Sequence, residues 1–249
     1  QAEDGIRDVE RSRGLGDVYK RQLGKGVAAI WHNVAPDIQP DYNHWHCSEH
    51  MLERVGIEGF LRGRRYDAIN GRPQFFHFYE TTTPAVLTSP AYMQRLNNPT
   101  PWTQRIGPHI KNNNRTLSQV VHSLGCGVGA AILTIRMVAN HDREIDFFRW
   151  VSQELFPFIN KESGVVAAHL LKGDKQASET ETEEKALREK PDEVTDWIIF
   201  IEAIDDKTLL KIWDNKYISE KALIENGAHS ASIGTYKLHF SLSSEDLIE

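Results

Sequence analysis

The chain has 249 residues, a formal net charge of −6, 40% hydrophobic and 26% charged residues, which suits a folded protein with a core of its own. The acidic balance, with no basic run longer than Arg62-Gly63-Arg64-Arg65, argues against a nucleic-acid partner, and no run of about 18 apolar residues is present to span a membrane. Two cysteines, Cys47 and Cys126, make no disulfide framework; with no recognisable secretory leader, a reducing cytoplasm is the expected location.

Residues 1–22 are expected to be foreign to the fold. Segments 1–8 and 17–22 are in-frame translations of a sequencing-library oligonucleotide and of a transposon end, with 12–16 as the linker between them. Such a scar, the mark of an environmental assembly, is set apart from fold reasoning.

From residue 23 the elements follow in order. Apolar 27–34 is a strand. Residues 40–55 carry helical spacing, with Asp41 near the start as a cap candidate. Strands at 60–69 and 74–82 flank the turn signal Asn70-Gly71-Arg72-Pro73. A second helix is expected over 84–97, broken near Pro90, and a closing strand over 115–122. The order then repeats: strand 129–138, helix 142–161, strands 165–172 and 196–204, helix 206–226, strand 233–242. A gapless offset of 105 pairs Ile30 with Ile135, Asp41 with Asp146, Tyr42 with Phe147, Trp45 with Trp150, Glu49 with Glu154 and Gly59 with Gly164. Six chemically sensible matches in one register indicate duplication.

Each copy is a βαββαβ, ferredoxin-like unit: an antiparallel sheet with both helices on one face. The other face needs cover, and the nearest cover is the matching face of the other copy. The fold class is therefore α+β, two tandem ferredoxin-like repeats (23–124 and 127–245) closing as a single-chain barrel. Residues 173–194 have no counterpart in the first copy. They are expected to form a solvated loop, with a lid over a cavity mouth as the alternative.

The stretch Tyr42-Asn43-His44-Trp45-His46-Cys47-Ser48-Glu49-His50-Met51, followed by Gly59-Phe60-Leu61-Arg62-Gly63-Arg64-Arg65-Tyr66, resembles the first helix and second strand of EthD-like proteins of the dimeric α+β-barrel superfamily. The motif resemblance covers only 42–66, and Met51-Leu52 stands where such proteins often carry proline. The superfamily includes antibiotic-biosynthesis-type monooxygenases, muconolactone isomerase and small polyketide cyclases. Its members work without metal, without cofactor or with haem, so the resemblance implies a fold and leaves the activity open.

A helical wheel at 100° per residue puts Tyr42, Trp45, Glu49, Leu52 and Gly56 toward the sheet, with His46 and Glu53 beside them and His50 at the flank. His46 and His50 become Val151 and Leu155 in the second copy, so a site using them exists once per chain. The expectation is acid–base chemistry by His46 or His50, oriented by Glu49. Arg62, Arg64 and Tyr66 alternate on one strand face and are expected to bind substrate oxygens, with Trp45, His77 and Tyr79 completing the pocket and His32 a further candidate. The plain alternatives are structural: a bonded Glu49, flank histidines, and arginines paired with Glu53 or Glu80. His46-x-x-Glu49-His50 has metal-ligand spacing, but a metal is not expected. Cys47 beside His46 points about 100° away from it on a helix, so a nucleophile pair is not expected either.

The expected function is a cofactor-independent enzyme of isomerase, cyclase or monooxygenase type, acting on a small apolar carbonyl or phenolic compound. The alternatives are a non-catalytic small-molecule binder and a haem- or metal-binding protein, for which His169 is the haem-ligand candidate. No cofactor, nucleic acid or membrane partner is expected. Whether the protein is a catalyst, and whether it forms a homo-oligomer, is left open.

Overall fold

Strands in this chain alternate between two buried faces, so their side chains must find two different covers. In the computed structural model, which describes residues 23–213 and 218–247, one cover is the other copy and the second is a layer of helices. The adapter-like segment 1–22 lies outside the described residues. The first copy contributes β1 (Gly26–Val34), β2 (Phe60–Asn70), β3 (Phe75–Thr81) and β4 (Ile110–Gly125). The second contributes β5 (Ala131–Ala139), β6 (Val165–Gly173), β7 (Trp197–Ala203) and β8 (Ala228–Ser243). They form a closed barrel in the order β1-β3-β2-β8-β5-β7-β6-β4. Within each copy all pairs are antiparallel, and the copies join through β2–β8 and β4–β6.

The duplication is visible in the registers. Ile30 pairs with His77 across β1 and β3, and Ile135 pairs with Ile199 across β5 and β7. Equivalences are thus 105 residues apart up to the sixth strand and 122 apart at β3 and β7, since the second copy carries the insertion. Gly59 and Gly164 both stand at positive φ (89° and 93°) just before a strand, where a side chain would be strained.

Inside the barrel, Val27, Trp31, Tyr66, Phe76 and Phe78 meet Ile132, Leu171, Ile198, Phe200 and Tyr236. At roughly 1.5–3 kcal/mol for each large side chain, this contact between the copies is a major source of stability. A charged cluster lies among these residues. The Arg64 guanidinium donates to Glu80 (2.8 Å) and to Glu202 (2.8 Å), and His169 lies 3.7 Å from Glu202. The cluster obeys the repeat: Gly24 N donates to Glu80 Oε2 and Gly129 N to Glu202 Oε2, and Arg64 and His169 are 105 apart.

Outside the barrel, α1 (residues 39–55) covers the first copy. Proline breaks the next expected helix as anticipated. A 3-10 turn, Pro84–Thr88, precedes α2 (Pro90–Leu96), and an unanticipated helix, α3 (Pro101–Ile106), follows. In the second copy α4 (residues 144–159) takes the place of α1. The expected helix over 206–226 is two helices, α7 (Asp206–Trp213) and α8 (Glu220–Glu225), with 214–217 outside the described residues.

The insertion is a packed strap with two short helices, α5 (Lys175–Glu179) and α6 (Glu183–Ala186). It leaves the second copy and lies across the first. One end is fastened by Asp174 N to Leu117 O (2.7 Å) and Leu117 N to Ser178 Oγ (2.8 Å). The other is fastened by Arg115 N to Glu193 O and Glu193 N to Asn113 O, both 2.9 Å. These backbone bonds correct the solvated-loop expectation.

Candidate functional site

The helix α1 is not uniform. Gln39–Trp45 and Met51–Val55 are α-helical, and His46–His50 between them is a π-turn. A π-turn inserts one extra residue and so rotates everything after it. The buried residues are Tyr42, Trp45, His46, His50, Met51, Arg54 and Val55, the helical spacing with one extra position after His46. Glu49 is therefore turned out of the interface. It is half-buried, and its carboxylate accepts from Thr100 Oγ1 (2.6 Å). The expected inward Glu49 is corrected by this extra residue, and so is its mate Glu154, which is exposed.

Between α1 and the sheet lies a cavity of about 40 Å³, lined by Ile30, His32, Tyr42, Trp45, His46, His50, Arg54, His77, Tyr79, Tyr92, Ile110, Asn113 and Arg115, with Glu184 and Arg188 from the strap. It has room for on the order of three waters. Four histidines meet there. The His46 ring stands 4.7 Å from His77 and 5.5 Å from His50, and His32 stands 5.2 Å from His77. His32 Nε2 pairs with the Tyr42 hydroxyl at 2.8 Å. Both ring nitrogens of His46, the Nδ1 atoms of His32, His50 and His77, and the Tyr79 hydroxyl are buried without a hydrogen-bond partner among the described residues. Trp45 Nε1 donates outward to Thr103 (3.1 Å) and its ring packs on His50 at 4.3 Å.

Burial dominates the protonation of these groups. It holds His46, His50 and His77 well below the usual histidine range and His32 at about 3, with nearby arginines and the other histidines adding to the effect. Burial also raises Tyr42 and Tyr79. The cluster is neutral at pH 7: imidazoles that can accept or donate a hydrogen bond and phenols that can donate one. Arginines supply the positive charge. Arg54 is ion-paired to Glu184 of the strap.

The second copy shows what packing alone requires. At the positions of His32, Tyr42, His46 and His50 it carries Met137, Phe147, Val151 and Leu155, and at those of Arg54, His77 and Tyr79 it carries Ile159, Ile199 and Ile201. All seven lie in one apolar core. That copy has the same π-turn, Val151–Leu155. The turn thus belongs to the fold, and the polar groups are particular to the first copy.

Arg62, Arg64 and Tyr66, expected in the pocket, are elsewhere. Alternation on β2 sends Arg64 and Tyr66 into the barrel, where Arg64 bonds Glu80, Glu202 and the Tyr66 hydroxyl (3.3 Å). Arg62 pairs with Glu80 at the barrel end. The helix-facing arginine is Arg65, which donates to Asn43 and lies over the Tyr42 and Phe75 rings. Cys47, half-buried, lies 4.0 Å from Arg65. His169 faces the barrel interior, with its Nδ1 2.9 Å from Ser123 Oγ. Among the described residues no group of three or more His, Cys, Asp or Glu is placed to hold a metal ion, and no helix is long and apolar enough to cross a membrane.

Sequence reasoning missed Arg54, Tyr92, Arg115 and the strap pair Glu184 and Arg188. A signal for Arg54 was present: the second copy spaces its apolar residues Val151, Leu155, Phe156 and Ile159 with the extra residue already in place. Following that spacing in the first copy points His50 and Arg54 inward and Glu49 outward.

The chain matches no protein-family model and no curated protein. Solved structures do resemble it. An anthrone oxidase-like protein aligns over 92% of this chain and 97% of its own with a TM-score of 0.61 at 12% identity. A Fusobacterium nucleatum protein provisionally named a monooxygenase aligns over 89% and 96% with 0.55 at 11%. A Lactobacillus acidophilus protein, also provisionally a monooxygenase, aligns over 88% and 97% with 0.54 at 9%. This is a dimeric α+β barrel closed within one chain. At such identities the likeness carries the barrel and its connectivity and nothing finer.

Proposed function

We propose that the protein is a cofactor-independent enzyme of the monooxygenase type, acting on a small phenolic or enolisable carbonyl compound in the first-copy cavity. The observation that supports this is the contrast between copies: seven positions apolar in one are polar in the other, with ring nitrogens left unpartnered. A buried polar group without a partner costs about 1–3 kcal/mol, so a chain that keeps several holds them for a ligand. The likeness to an anthrone oxidase-like protein makes oxygenation of an activated ring the first reaction to test.

The chain's part is proton transfer. A neutral imidazole of His46 or His50 takes the proton from a phenol or from a carbon next to a carbonyl, and the oxyanion left behind is held by the arginines and by Tyr79. The electron-rich anion then reduces dioxygen. For a ring CH2 the overall change is CH2 + O2 → C=O + H2O, with the electrons supplied by substrate. An imidazole held far below neutrality is a weak base by itself. It becomes adequate as the forming oxyanion stabilises the imidazolium beside it.

The test is oxygen uptake with 1,8-dihydroxyanthrone and a panel of simple phenols. Turnover with one O2 consumed per substrate is expected, and His46→Val with His50→Leu should lower kcat/KM by about 10²-fold or more. Turnover unchanged by both substitutions would remove these histidines from the mechanism. The small cavity and the low histidine basicity favour a second reading, a non-catalytic binder, for which the same panel would give binding without oxygen uptake.

A further inference from the structure

The cavity wall carries more positive charge than the protein neutralises. Its ionised lining residues are Arg54, Arg115 and Arg188 against Glu184 alone. Glu184 is taken by Arg54, and Arg188 is held by Asp192 through two 2.7 Å bonds. Arg115 is the remaining one. It is 7% exposed, it stands on β4 facing α1, and among the described residues its one side-chain bond is Nη2 to the Tyr92 hydroxyl at 3.1 Å. No carboxylate lies within ion-pair distance of it among the described residues. A guanidinium taken out of water without a counter-charge is costly, and the cost is relieved when an anion arrives.

The way in carries charges of both signs. Ile110, Asn113 and Arg188 line both the inner cavity and an outer depression of about 410 Å³ that also bears Lys111, paired with Glu189, together with Lys190 and Glu193. Arg188 thus stands between the vestibule and the cavity.

We propose that the cavity takes a compound bearing an ionised carboxylate, which enters past Arg188 and is anchored by Arg115. The inference rests on the reading of this cavity as the ligand site and adds the chemical class of the ligand. Arg115 presents a planar fork suited to two carboxylate oxygens. Anchored there, the rest of the ligand extends toward the histidines, and the carboxylate supplies the ion-pair partner that Arg115 lacks. Tyr92, also on the cavity wall, accepts from Nη2 and so helps to fix the direction of the fork. Arg115 in this role is a binding residue; the proton transfer remains with the histidines.

Three probes of nearly one shape separate the possibilities: benzoate, benzamide and phenol. Binding to the whole chain is measured by calorimetry at pH 7 and low salt. Benzoate is expected to bind about ten-fold or more tightly than benzamide, as a charge-assisted contact in a dry site implies. In Arg115→Gln the preference should fall to within about three-fold, and in Arg115→Lys part of it should return. Phenol binding should be nearly the same in all three proteins, a readout that general unfolding would not leave intact. If Arg115→Gln does not fold, the benzoate-to-benzamide ratio in the unaltered protein still decides. Equal affinity for benzoate and benzamide would overturn the carboxylate while phenol binding kept the cavity as the ligand site. Failure of all three probes to bind would overturn both readings.

Discussion

His46 and His50 are buried, with both ring nitrogens of His46 and Nδ1 of His50 unpartnered among the described residues. Replacing them by their second-copy equivalents, His46→Val with His50→Leu, removes polar atoms from a site that the fold packs with apolar ones. Stability at pH 7 is expected to stay level or rise by about 1–3 kcal/mol in urea denaturation. A loss of roughly 3 kcal/mol or more would show that the histidines are held in a bonded network and support the fold. The same residues set an acid response. Each is held below its unfolded value near 6.5, His32 at about 3. Below pH 6.5 the unfolded chain therefore binds protons that the folded chain refuses, and stability falls as pH falls. Each histidine contributes a slope approaching about 1.4 kcal/mol per pH unit. Between pH 6 and 4.5 the double variant should lose stability less steeply than the parent by nearly two such slopes. Identical slopes would mean that these rings titrate normally in the folded protein.

The strap is tied at both ends by backbone bonds to β4, whereas its middle is held by side chains. Glu184 bonds Arg54, Glu183 N donates to Asn97 Oδ1 (3.2 Å), and Leu187 closes on Gly107, where an added Cβ would lie 2.7 Å from it. A cavity of about 40 Å³ is far below the roughly 150 Å³ that admits a benzene ring, so a ring-bearing ligand requires the middle of the strap to move. Glu184→Gln weakens the tie to Arg54. Hydrogen exchange of peptides covering 183–188 should then quicken, with 174–178 and 193–195 unchanged. Unaltered exchange in 183–188 would locate the hold elsewhere, in Leu187 or Asn97. The strap arises in one copy and closes the cavity of the other, so the enclosed cavity is a product of the duplication and not of a single βαββαβ unit.

Arg64 joins the two copies through Glu80 and Glu202, all three buried. Burial by itself would raise the Glu202 carboxyl, but the Arg64 charge, followed by contacts from His169 and Gly129, holds it at about 2. Its contribution to stability is present above about pH 4.5 and is lost as pH falls toward 2. Acid unfolding should therefore show a second component below that of the histidines. Arg64→Met leaves Glu80 with Arg62 alone, and Glu202, fully buried, with no arginine and only His169 at 3.7 Å. A loss of about 3–5 kcal/mol is expected in chemical denaturation at pH 7. A loss below about 1 kcal/mol would mean that water reaches the cluster and that it behaves as a surface pair.

The duplication, the strand order and the two-sided burial of the strands follow from periodicity. A residue spacing of two and a repeat of 105 residues are properties of the chain itself, and the helices and strands stand close to where those patterns put them. The once-per-chain histidines could be found in the same way, because Val151 and Leu155 occupy their positions in the second copy. Which way a side chain points was another matter. A single π-turn moved Glu49 from the inward arc to Thr100. The choice between the two faces of β2 put Arg64 in the barrel and left Arg65 against the helix. Both outcomes depend on small offsets, one residue in a helix and one in a strand, to which hydrophobic patterning is nearly insensitive when both faces are buried. Arg115 reached the cavity through the pairing of β1 with β4 within the first copy, and Glu184 through a contact with Arg54 spanning more than half the chain, the strap crossing from one copy to the other. No local spacing encodes such a contact. It follows only from the closure of the barrel, which brings β4 and β6 side by side and delivers the insertion after β6 over the face of α1.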